Sequence, residues 1–188
     1  MVEPCRGKLL VATPELPDPN FARTVVLVLE HSDEGALGVV LNRPTDTSLV
    51  ESLPRWADRA APPAVVFVGG PVQPDAAIGL ARRAAADTDE PDGGGFATLF
   101  DRLGTVDLEL GPEEITPAVE AVRVFVGYSG WGPGQLDGEL TAEGWYVCDA
   151  DADDLWTAHP NDLWRAVLRR QPGPLRLVAG FPDDPSQN

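Results

Sequence analysis

Thr24-Val25-Val26-Leu27-Val28-Leu29-Glu30 is β-branched and continuously apolar, and Leu37-Gly38-Val39-Val40-Leu41-Asn42 repeats that character after the short segment His31 to Ala36. A strand with one wet face alternates apolar and polar residues, so a run without alternation predicts a central strand covered on both faces. Two such runs separated by a short polar segment containing Gly35 predict an antiparallel hairpin. Arg43-Pro44 ends the second strand, because proline cannot donate to a ladder.

Outward from this hairpin, Gly7 to Ala12 predicts a short buried strand stopped by Thr13-Pro14. Ser48 to Arg59 predicts a helix broken near Pro54, with Leu49, Leu53 and Trp56 on one face. Val65 to Val68 is a further buried strand cut by Gly69-Gly70-Pro71, and Ala76 to Arg82 another strand. Asp87 to Gly95 is acidic and rich in turn residues, which predicts an exposed loop. Ala121 to Tyr128 is a strand followed by a glycine-rich corner, Gln135 to Ala142 a helix, and Trp145 to Cys148 a strand. The last helix starts at Pro160 and carries Leu163, Trp164, Val167 and Leu168 as one stripe, with Arg169 and Arg170 at the end where the helix dipole favours cations. Leu175 to Ala179 is expected to be a closing strand. Strands and helices mix without a regular βαβ beat, so the fold class is α+β. The loop at Asp87 divides the chain without leaving either half an independent core, so residues 1–188 are expected to form a single domain.

Charge narrows the function. Thirty acidic residues face fourteen basic ones, a net charge of −16, and no Lys or Arg occurs between Arg123 and Arg165. Nucleic-acid affinity comes mainly from Lys and Arg neutralising phosphates, and it needs a basic footprint. This chain has one lysine and scattered arginines, so direct DNA or RNA binding and attachment to anionic membranes are both disfavoured. No apolar run approaches the ~20 residues of a membrane span, and Met1 to Lys8 lacks the apolar segment of a secretory signal, so a cytoplasmic location is expected. Cys5 and Cys148, in no CxxC pair, read as small apolar residues kept reduced.

Several constellations resemble reactive or ligand-binding motifs. Gly127-Tyr128-Ser129-Gly130-Trp131 imitates a nucleophile elbow, but the glycine required two residues after the serine is replaced by Trp131. Gly130, Gly132 and Gly134 before a helix have the layout of an anion cradle, yet Asp137 and Glu139 already bring negative charge there. Asp149-Ala-Asp151-Ala-Asp153 opens like a calcium loop, but Asp154 stands where the glycine belongs and Pro160 where the glutamate belongs. His31 and His159 have no nucleophile partner in a recognisable arrangement and read as loop hydrogen-bonders. Neither a metal nor a cofactor is implied.

Taken in order, Gly7 to Pro14, Asp18-Pro-Asn-Phe21, Val25 to His31, Gly35 to Pro44, Gly69 to Val72, Gly127 to Leu136 with Glu139-Leu140 and Trp145, Leu163-Trp164 and Pro182 to Asn188 resemble the motifs of the YqgE/AlgH family across nearly the whole chain. The resemblance implies a bacterial cytosolic α+β fold in which mostly antiparallel strands curl into a pseudo-barrel with helices packed outside. It implies no particular reaction. Some members carry a transcriptional-regulator label, and many have alanine in place of Ser129. The acidic segment and the Asp87 to Gly95 loop are departures particular to this sequence.

The expected function is therefore a non-enzymatic binding or regulatory domain acting through a protein or small-ligand partner. Its candidate ligand-binding residues are Asn42, Arg43, Gly69, Gly70, Pro71, Tyr128, Trp131 and Gln135, three loop signatures read as shaping one shared surface. The alternatives are an enzyme using Cys148 or His31, and a direct DNA-binding regulator. The charge argument has a direct check: an electrophoretic assay with duplex DNA at ~150 mM salt is expected to show no shifted band, and a shift that survives that salt would restore the DNA-binding reading.

Overall fold

A computed structural model describes residues 4–16, 18–87 and 91–182. Among these residues ten strands build one sheet: β1 (Lys8–Ala12), β2 (Val25–Ser32), β3 (Gly35–Val40), β4 (Pro44–Ser48), β5 (Val65–Val68), β6 (Val72–Arg83), β7 (Phe96–Phe100), β8 (Leu103–Val106), β9 (Val119–Trp131) and β10 (Trp145–Asp149). The spatial order is β10-β1-β2-β3-β9-β6-β8-β7, with β4 on β5 and β5 lying parallel to β9 at Phe67 and Val68. All other pairs are antiparallel, and the sheet curls into a half-barrel. The helices are α1 (Leu49–Ser52), α2 (Gln135–Thr141), α3 (Leu163–Arg169) and α4 (Leu175–Val178).

The hairpin behaves as its composition requires. Val25, Leu27 and Leu29 point to one side of β2 and Val26 and Val28 to the other, and all five are buried. The first side opens onto a cluster containing Leu9, Leu27, Phe67, Leu80, Leu103, Phe125 and Cys148. One cluster reaching from β8 to β10 marks the concave face. The α3 stripe of Leu163, Trp164, Val167 and Leu168 closes it, with the Trp164 indole N–H donating to the Ala12 carbonyl at 2.9 Å. The opposite face carries two separate clusters. One, around Leu10, Val26, Trp131 and Trp145, lies under Leu136 of α2; the other, around Val66, Val122 and Val124, lies under Leu49 and Trp56.

Arg123 on β9 points into the interior, only 1% exposed. Its guanidinium donates to the Leu155 carbonyl at 2.8 Å, the Thr157 carbonyl at 3.2 Å and the Pro62 carbonyl, and it stacks 4.5 Å from the Phe67 ring centroid. Burial alone pulls its pKa down to about 10. A buried charge held by carbonyls in this way ties the 155–157 loop to the sheet.

The structure corrects one expectation and extends others. Leu175 to Ala179 is not a closing strand: Leu175–Val178 forms a helical turn against α3. Pro172-Gly173-Pro174, with Gly173 at φ 68°, turns the chain back, and Arg165 then holds the end by donating to the carbonyls of Ala179 and Phe181. So short an apolar run has no periodicity of its own, and its surroundings decide. β6 begins at Val72 instead of Ala76, with a register shift between Val72 and Ala77. β4, β7 and β8 are strands that the sequence pattern does not predict. Of the expected Asp87 to Gly95 loop, residues 88–90 lie outside the described residues, as do residues 183–188 of the C-terminal motif.

Where β5 leads into β6, the chain crosses β9 at glycine-to-glycine distance. Gly69 N–H donates to the Val126 carbonyl at 2.8 Å, and the Gly69 carbonyl accepts from Val40 N at 2.9 Å and from Ser129 Oγ at 3.1 Å. A Cβ on Gly127 (φ 67°) would lie 2.3 Å from the Gly70 oxygen, and one on Gly70 (φ 154°) 2.2 Å from the Tyr128 carbonyl carbon. Gly127→Ala combines a left-handed backbone with a clash against main chain, so a loss of about 3 kcal/mol in urea unfolding is expected. An unchanged midpoint would show that the crossing relaxes at no cost.

Candidate functional site

A cleft of about 920 Å³ opens at the corner of the sheet where β1 ends and β10 begins. Its wall on one side comes from Thr13 to Leu16, Asp18 and Phe21, and on another from Trp131, Gln135, Glu139 and Leu140 around α2. β10 contributes Trp145, Tyr146 and Val147, and α4 with the residues after it contributes Leu175, Val178 and Phe181. Neighbouring residues of a strand point to opposite faces, so lining by Trp145 and Tyr146 together means the cleft wraps around the β10 edge.

The aromatic floor is fixed by one carboxylate. Phe21 stacks on Trp131 at 6.1 Å between centroids and meets Trp145 edge-on at 5.4 Å, and the two indoles are 6.2 Å apart. Both indole N–H groups donate to Glu139 Oε2, Trp131 at 3.0 Å and Trp145 at 2.8 Å, while Gln135 Nε2 donates to Glu139 Oε1 at 3.1 Å. Gln135 and Glu139 sit four residues apart on α2, hence on one helix face. A buried indole needs an acceptor for its N–H, and here a single side chain serves two.

Electrostatically the cleft has one sign. Glu15, Asp18, Glu139 and Glu143 line it, and among the described residues no Lys, Arg or His does. The field acts on Tyr146, whose phenol is held above its ordinary pKa by burial first and then by Glu15 and Glu143.

The eight expected residues fall into two groups. Trp131 and Gln135 line the cleft. The other six do not. Asn42 bridges its own hairpin, accepting from Val25 N at 2.9 Å and donating to the Arg23 carbonyl at 2.8 Å. Arg43 donates to the Ala22 carbonyl at 3.0 Å, and its own carbonyl accepts from Val68 N, which brings the first loop signature beside the second. Gly69, Gly70 and Tyr128 meet at the β9 crossing, with Pro71 exposed next to them. The Gly132 N–H of the glycine corner donates to Gln135 Oε1 at 3.1 Å, so that part of the anion cradle is filled by the chain itself. Glu139, the organising residue, is not among the eight, since by sequence it reads only as negative charge near the start of a helix. The available signal was its four-residue spacing from Gln135 between two tryptophans.

The side chains considered for catalysis lie elsewhere. Cys148 is 1% exposed, and burial pushes its thiol up to about 11. His31 has an 8% exposed side chain; its Nδ1 accepts from Cys5 N at 3.0 Å, and its Nε2 lies 3.5 Å from Asp137 Oδ1. An accepting Nδ1 places the ring proton on Nε2. Ser129 is fully buried on Gly69. In the aspartate run, Asp149 pairs with Lys8, Asp151 with Arg170 at 3.1 Å, and Asp154 with Arg170 at 2.5 Å.

UPF0301 protein SCO2948 of Streptomyces coelicolor is 53% identical over 182 residues, spanning 97% of this chain and 94% of the relative. The crystal structure of protein DIP2367 from Corynebacterium diphtheriae superposes with a TM-score of 0.85 at 35% identity, covering 96% of this chain and 94% of that one. The solution structure of the AlgH protein from Pseudomonas aeruginosa superposes with a TM-score of 0.69 at 29% identity, covering 97% and 96%. The family model described as AlgH-like matches residues 9–176, and the chain belongs to that family.

Proposed function

We propose that this protein is a non-enzymatic binding domain whose cleft beside Trp131 and Gln135 receives a partner protein or small ligand, and that any regulatory role is exerted through that binding. The observation that carries the reading is the cleft itself: a large concavity with a rigid aromatic floor and a one-signed rim, set apart from the buried thiol, imidazole and hydroxyl. Such a site suits recognition, since a wide apolar surface with a few placed polar groups fixes a ligand without reacting with it. Among the described residues no helix is long and apolar enough to cross a membrane, and the acidic rim repels anionic lipid and nucleic acid alike. A cytoplasmic site of action fits this reading.

Native mass spectrometry of protein purified from its own host is expected to show a bound mass. Ala142→Trp, at an exposed cleft-lining position, is expected to remove that mass without lowering the urea midpoint. A bound mass that survives Ala142→Trp, or a wild-type chain that always arrives bare, defeats the proposal.

The reading that makes Cys148 a nucleophile has its own check. A thiol with its pKa raised from 9.0 to about 11 keeps its proton more firmly when folded. The stability this supplies is complete below about pH 9 and disappears as pH climbs through about 11. Wild-type stability is therefore expected to fall more steeply across that window than that of Cys148→Ala, and Cys148 in the native protein is expected to resist iodoacetamide at about pH 8. Rapid alkylation there would put a reactive thiol back in consideration.

A further inference from the structure

We propose that the outer edge of β10 takes up an extended basic peptide as an added strand. The inference rests on the cleft being a binding site and specifies what fills it. β10 is the terminal strand of the sheet, and its one strand partner among the described residues is β1. The hydrogen-bond alternation shows which groups remain. Ala12 N donates to the Thr24 carbonyl at 3.0 Å, towards β2, whereas Thr13 N donates to the Gly144 carbonyl at 3.1 Å, towards β10. Backbone groups alternate along a strand, so Val11 and Leu9 face β10 and engage their register partners Tyr146 and Cys148. Trp145, Val147 and Asp149 therefore turn their backbone groups outward. The Asp149 carbonyl accepts from Arg170 at 3.2 Å. The outward positions at Trp145 and Val147 are left for a newcomer, and these two residues line the cleft.

Exposed edges are normally blunted by Lys, Pro or a bulge, because unpaired backbone groups recruit other chains. β10 carries no Lys or Pro, its pairing with β1 has no register shift, and Val147 presents an apolar side chain that is 46% exposed. Extended peptides bind such edges through main-chain hydrogen bonds, with side-chain surroundings setting specificity. Those surroundings select cations. Glu139 is committed to the indoles, but Glu15, Asp18 and Glu143 flank the groove without a basic residue among the lining, and Val178 and Phe181 offer apolar contact between them. A peptide alternating Lys or Arg with aliphatic residues matches both features. A second copy of this chain is a poor occupant, since each copy has a net charge of −16 and would bring the same carboxylates to the seam.

The test uses the full chain and the peptide acetyl-Lys-Val-Arg-Val-Lys-Val-Arg-amide, followed by amide-resolved hydrogen exchange at ~150 mM salt. The expected result is slower exchange at the Trp145 and Val147 amides. The same peptide N-methylated at alternate residues should bind roughly tenfold more weakly, because two main-chain hydrogen bonds are lost. The pair Glu15→Gln and Glu143→Gln should weaken binding by about threefold or more, whereas Glu51→Gln with Asp58→Asn, an equal charge change on the other half of the sheet, should not. Equal binding of the N-methylated peptide, or equal loss in both charge pairs, would reduce the attraction to non-specific electrostatics and overturn the proposal. Protection confined to the β7 edge would overturn it as well. These outcomes leave the broader binding reading untouched, since that stands or falls on the Ala142→Trp result.

Discussion

The passage of Gly69-Gly70 across Gly127-Tyr128 holds the two halves of this molecule together. At that point β3, the β5–β6 turn and β9 come within hydrogen-bonding distance of a single carbonyl, that of Gly69. Backbones meet this closely only where side chains are missing, so the glycines are a steric requirement of the crossing. β9 can then serve β6 along most of its length and β3 at its end, and the sheet continues from one half to the other without a break. Trp131, the last residue of β9, is delivered by this route to the floor of the cleft.

The same crossing explains why a serine in glycine-rich company is inert. Ser129 spends its hydroxyl on the Gly69 carbonyl and has no exposed surface. The sequence pattern shows glycines beside a serine; it cannot show whether those glycines clear space for a substrate or for another stretch of main chain. Asn42 poses the same ambiguity. A polar residue after an apolar strand suits a recognition loop, yet this amide closes its own hairpin between Val25 and Arg23.

What was legible from sequence was whatever depends on local periodicity. The unbroken apolar run of β2 announced two covered faces, the α3 stripe announced a packed helix, and Pro54 divided the α1 region as expected. What was not legible depends on partners distant in the chain. β7 and β8 are a short hairpin defined by their pairing with β6, and α4 is helical because a preceding turn and Arg165 place it against α3. Of the candidate site, Trp131 and Gln135 were identified from one motif. Phe21, Glu139 and Trp145 join them only when the end of β1, the start of β10 and α2 converge on one corner of the sheet. Glu139 illustrates the limit: two indoles from different strands share it, and no residue-by-residue reading contains that geometry.

Arg123 carries a consequence for motion. Its guanidinium is surrounded by carbonyls from residues 62, 155 and 157 and by the Phe67 ring, and no carboxylate among the described residues accompanies it inward. Were the 155–157 segment to swing away alone, the cation would keep only the Pro62 carbonyl and the Phe67 ring, a state less favourable than the closed form. A swing of that segment is thus coupled to the packing around Phe67, whereas the cavity of about 380 Å³ between Leu155 and Trp156 and the side chains of Leu9, Leu27, Leu41 and Leu103 is reached without one.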